Sequence, residues 1–99
     1  MNLNYNEIGQ IIQVNVGEDI SASTPSLVLL PEVGDKILIS AGVTIPAVDS
    51  GDYLANQYIE YTTVEDDLNY VGRWKKKAML EFSSANIQQT DYVKFQVMP

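Results

Sequence analysis

Along most of this chain apolar and polar residues alternate with a period of two, and no segment carries apolar residues at i, i+3, i+4 and i+7 over three turns. "QIIQVNV" puts Ile12, Val14 and Val16 on one face and Ile11, Gln13 and Asn15 on the other, ending at Gly17. "SLVLL" is a short apolar run stopped by Pro31, which cannot donate to a ladder. The Gly34-Asp35 turn then predicts a hairpin returning through Lys36 to Ser40. "GVTIPAV", bounded by Gly42 and Pro46, reads as a short edge strand or an irregular crossing, and "DSGDYLANQ" as the longest loop. "YIEYTT" places Ile59 and Tyr61 on one face, with Tyr58, Glu60 and Thr62 on the other.

The last third opens with "VEDDLNYVG", one tight turn or a short helical turn whose acids suit a helix N-terminus and whose Gly72 ends it. Trp74, Lys76, Ala78, Leu80 and Phe82 then share one face of a strand, and Lys75, Lys77, Met79 and Glu81 the other. "SSANIQQ" reads as the last hairpin loop, and "DYVKFQVM" closes with Val93, Phe95 and Val97 inward against Tyr92, Lys94 and Gln96 outward. About seven short strands at roughly ten-residue spacing predict a single all-β domain over residues 1–99: an immunoglobulin-like antiparallel β-sandwich of about seven strands, with a small barrel as the rival.

On this pattern, Trp74, Leu68, Phe82 and Phe95 are core anchors, with Leu68 plugging the bottom. Gly72 supplies a positive φ at the corner before the Trp74 strand. The competing role for Trp74 is a stacking surface for carbohydrate. Lys76 falls on the inward face and is expected to snorkel its amine to the rim. Lys75 and Lys77 point outward, either protecting an edge strand or docking on an acidic neighbour. Tyr58 and Tyr92, on polar faces, complete the candidate interface residues, unless they only pack across strands.

Composition removes much chemistry. With no Cys and no His there is no thiolate nucleophile, no Cys- or His-ligated metal and no His general base, so a Ser-His-Asp or zinc hydrolase is excluded. No cofactor and no catalysis are expected. "DSGD" (Asp49, Asp52) and "EDD" (Glu65, Asp66, Asp67) lack the alternating register of a calcium loop and read as turns and caps. The glycines are dispersed and form no phosphate cradle. A net charge of −7 argues against nucleic acid as partner. "MNLNYNEIGQ" lacks the pattern of a signal peptide, and no run is long enough to span a membrane. Up to Gly72 eleven acids face Lys36 alone, whereas from Arg73 onward five bases face Glu81 and Asp91. Such asymmetry allows complementary contacts with a partner or between copies, a homo-oligomer included.

The string "YIEYTTVEDDLNYVGRWKKKAMLEF", with its D-L-x-x-x-G-x-W-x-x-x-A-x-x-x-F run, and the final V-x-F-x-V strand resemble small bacteriophage virion proteins of this length. "IGQIIQVNVGEDIS" is similar to their opening strand and corner, so the resemblance covers about half the chain. These proteins resemble in turn the immunoglobulin-like N-terminal modules of phage baseplate upper proteins. The resemblance implies a virion structural protein, made in the host cytoplasm, that attaches in many copies to other capsid, tail, baseplate or fibre proteins. The chain departs from the group at "LLPEVGDK", where "KPDG" is frequent, and from Ala41 to Asn56. A receptor- or glycan-binding module is the alternative.

Overall fold

The computed structural model describes residues 2–99, and among them there are strands and turns but no helix. Eight strands form: β1 (Asn2–Asn4), β2 (Ile11–Asn15), β3 (Thr24–Pro31), β4 (Ile37–Ile39), β5 (Tyr58–Thr62), β6 (Gly72–Ser83), β7 (Asn86–Gln89) and β8 (Val93–Met98). A large sheet runs β1-β8-β6-β3-β4 with β7 also on β6, and a second sheet contains β2 and β5. One hydrophobic cluster joins the two layers: Ile12, Val14, Ile59 and Tyr61 from the small sheet meet Leu27, Leu29, Trp74, Ala78, Leu80 and Phe95 from the large one.

The expected strands form where alternation is clean. β2 and β5 pair antiparallel with Ile12 opposite Tyr61 and Val14 opposite Ile59, each pair facing inward. β3 and β4 make the expected hairpin, Leu27 opposite Ile39 and Leu29 opposite Ile37. Val43 to Ile45 crosses irregularly, touching β5 only through Thr44, whose N–H donates to Glu60 and whose carbonyl receives the Glu60 N–H, both at 2.9 Å.

Two features depart from the pattern, and the 64–67 segment takes one of its two expected forms. Residues 86–89, expected as hairpin loop, form β7, because β6 runs on to Ser83 and leaves an open ladder for them. All four β7 residues are exposed, so no apolar alternation marks the strand. Thr90 bridges the break between β7 and β8: its N–H donates to the Ala78 carbonyl while its hydroxyl accepts the Ala78 N–H, both at 3.0 Å. At the other end β1 pairs parallel to β8, against an all-antiparallel expectation, with the buried Leu3 set opposite the buried Val97. Residues 64–67 form a tight turn rather than a helical start, with Asp66 at φ 68° and the Asp67 carboxylate accepting the Val64 N–H at 2.7 Å. The same carboxylate accepts the Tyr61 hydroxyl at 2.6 Å, tying the turn to β5.

Candidate interaction face

β6 is the spine of the large sheet, and its register decides which side chains share a surface. Trp74 lies opposite Pro31 on β3 and Phe95 on β8, facing the small sheet. One step along, Lys75 lies opposite Leu30 and Lys94, facing away from it. The outer face therefore carries Arg73, Lys75, Lys77 and Glu81 from β6 and Lys94 from β8. Four of the six basic residues of a chain with net charge −7 stand on this one side.

The face is predominantly cationic, with Glu81 on β6 and Glu32 beside the groove as its acids. Among the described residues Arg73, Lys75 and Lys94 form no ion pair. Lys75 and Lys94 are direct cross-strand neighbours of like charge, an arrangement that costs a few tenths of a kcal/mol to about 1 kcal/mol. The Lys77 amine stands 4.5 Å from the Tyr92 ring centre, a cation-π contact that fixes both side chains. Val28 is buried on this outer side between Leu38 and Lys77, whose methylene stem covers it. Beside this row an open groove of about 720 Å³ runs along Leu30, Glu32, Arg73, Lys75, Lys94 and Gln96.

Of the candidate interface residues, the fold brings Lys75, Lys77 and Tyr92 onto this face. Tyr58 is not with them. It points to the outer side of the small sheet, where the chain over residues 46–56 covers it and leaves it 1% exposed. Its hydroxyl donates to the Val48 carbonyl at 3.0 Å and its ring lies 5.4 Å from that of Tyr53. Burial, then the charges of Glu60 and Asp49, push its hydroxyl above its ordinary pKa. The polar alternation of β5 misplaced Tyr58 because the covering segment is remote in sequence.

Trp74, Leu68 and Phe95 are buried and Phe82 is half-buried against the same cluster. The Trp74 indole is 1% exposed and its Nε1–H donates to the Tyr70 carbonyl at 2.8 Å, so it offers no ring face for a sugar. Gly72 sits at φ 137°, and a Cβ there would come within 3.1 Å of the Tyr70 ring.

Lys76 departs from its expected snorkelling. It is 4% exposed, its amine donates to the Gln13 carbonyl at 2.6 Å, and the Phe95 ring centre is 6.0 Å away. The Val16 N–H bonds Gln57 and the Thr63 N–H bonds Gln10, so the β2-β5 hydrogen bonds fall on even-numbered β2 residues. The Gln13 carbonyl therefore faces away from β5, and Lys76 reaches across the core to satisfy it. Burial lowers the Lys76 pKa from its ordinary value.

Arg73, Lys94 and Leu30 also belong to the face, but residues so far apart in sequence converge only through strand register. The acidic clusters serve local structure: Asp49 accepts the Ala55 N–H at 2.8 Å and Asp67 holds its turn. Among the described residues no group of three or more acids converges to hold a metal ion. Among the described residues no helix is long and apolar enough to cross a membrane. The chain matches no protein-family model, no characterised protein and no solved structure.

Proposed function

We propose that the protein is a non-catalytic attachment module, a structural component of a bacteriophage virion that binds other virion proteins on a capsid, tail, baseplate or fibre. The observation that carries this reading is the concentration of four of six basic residues on one sheet face of an acidic chain. A broad sheet surface with clustered positive charge and partly buried apolar residues suits a protein surface better than a small substrate. The resemblance of the β5–β8 sequence to small virion proteins supports the same reading.

The finer fold belongs to this proposal. The order β8-β6-β3-β4 opposite β2-β5 corresponds to the G-F-C-C′ and B-E strands of an immunoglobulin-like sandwich, with the 43–45 crossing in the place of strand D. In such an arrangement the G-F-C face is a rigid platform for contacts. Burial of Trp74 weighs against the glycan-binding alternative, since only Tyr5 and Tyr92 among the aromatic rings are exposed.

Co-sedimentation of the purified protein with phage capsids and with phage tails tests the reading. Binding to one of the two is expected, reduced by Lys75→Glu combined with Lys94→Glu. Absence from both pellets would end the proposal.

A further inference from the structure

The two broad sides of the molecule are opposite in charge. The outer side of the large sheet holds Arg73, Lys75, Lys77 and Lys94, with Glu81 towards the end of β6. The other side consists of β2, β5 and the segment over residues 46–56 that covers Tyr58, and the whole stretch from Ile37 to Gly72 contains no basic residue. It presents Asp52, Asp49 and Glu60, and beside them the exposed Val48 and Leu54. Asp49 keeps one carboxylate oxygen beyond its bond to Ala55, and Glu60 is shared only with Gln13, at 3.1 Å.

We infer that a second copy of this chain is the occupant of the basic face: the large sheet of one copy docks on the 46–56 side of the next, and copies stack head to tail. Charge complementarity assigns the pairing, because each side meets in its neighbour the sign that it lacks. Each patch also offers apolar side chains to the other, Leu30 and Leu38 against Val48 and Leu54. The extents are 37 × 30 × 21 Å, and the shortest is the thickness expected of two sheets about 10 Å apart with side chains outside them. The broad faces can therefore supply the roughly 800 Å² per partner of a standard interface. The two patches differ, so the contact is heterologous: one docking leaves a free basic face and a free acidic side, and the stack continues or closes as a ring. None of this depends on the virion reading, and it is read on the purified chain alone.

Sedimentation velocity over a concentration series, at about 50 mM and about 500 mM salt, tests the stack. Concentration-dependent association is expected at low salt, weakened about ten-fold or more at high salt. Lys75→Glu with Lys94→Glu makes both sides acidic, and Asp52→Lys with Leu54→Lys makes both basic. Each variant alone is expected to sediment as a monomer, and an equal mixture is expected to associate again by alternation. These four side chains are exposed and outside the hydrogen bonds that hold the fold. Unchanged far-UV dichroism checks this, and a variant that fails the check is replaced by Lys75→Gln with Lys94→Gln, expected to weaken association several-fold. A wild-type chain that stays monomeric throughout overturns the inference, including one that binds only poly-glutamate or duplex DNA. So does a mixture that remains monomeric, or a pair of folded variants that associate as the wild type does.

Discussion

The two outer faces of this molecule have met the same problem in different ways. On the small sheet, the outward Tyr58 is roofed by the protein's own chain, and the Val48 carbonyl and the Tyr53 ring complete its surroundings. On the large sheet, the outward Val28 has only Leu38 and the stem of Lys77 above it, and lysines stand on either side. A face covered from within has its contacts built into folding, so its residues serve stability. A face left bare and charged gains little from folding alone, and it keeps a like-charge row that a purely structural surface has no reason to hold.

Removing the filling beneath both faces should have the largest effect. Trp74→Ala is expected to cost about 3–5 kcal/mol, read as a fall in the urea midpoint. Tyr58→Ala strips the covered face and is expected to cost roughly 3 kcal/mol, while Tyr58→Phe, which loses only the bond to Val48, costs about 1 kcal/mol. If Tyr58→Ala were as mild as a surface change, the two faces would not differ as described.

Alkali should attack the core side of the small sheet. Burial, then the hydrogen bond to Asp67, pushes the Tyr61 hydroxyl up to about 12 from an ordinary 10.0. In the folded state it keeps its proton where an unfolded tyrosine has lost it, so its stabilisation is complete below pH 10 and is lost as the pH rises through 12. Stability measured by urea titration should fall across this window, and less steeply in Tyr61→Phe. Lys76 works in the opposite sense: its folded pKa is lowered, so the unfolded chain holds the extra proton and the penalty eases as pH rises towards 10.5. Lys76→Met is expected to flatten that rise.

The smallest effect should have the opposite sign. Lys75→Glu places opposite charges across the β6-β8 pair and is expected to raise stability by roughly 0.2–1 kcal/mol. A gain in melting temperature together with a loss of docking would set the bare face apart from every position on the covered one. A loss of stability would mean that Lys75 is held by contacts within the chain.

Much of the core was legible in sequence. Ile12, Val14, Ile59, Tyr61, Trp74, Ala78 and Leu80 lie on the faces that alternation gives them, because a sheet residue's side is fixed by parity once one face is buried. β7 was hidden because its four exposed residues carry no apolar signal, and β1 because it has three residues and one anchor. Lys76 was assigned to the correct face but to the wrong environment. Its parity is local, whereas its hydrogen-bond partner, the Gln13 carbonyl, lies on the other sheet. The candidate face was half legible: Lys75, Lys77 and Tyr92 could be named, but Arg73 and Lys94 join them only through register.

The sequence by itself determined the class of structure and the inward set of β2, β5 and β6, since side-chain alternation depends on neighbours one and two residues away. It also determined the uneven distribution of charge along the chain. Which strands pair, which outward tyrosine is roofed and which basic residues form one surface were decided only by the tertiary structure. Those outcomes follow from hydrogen-bond register and chain crossings between segments tens of residues apart, where no local periodicity can reach.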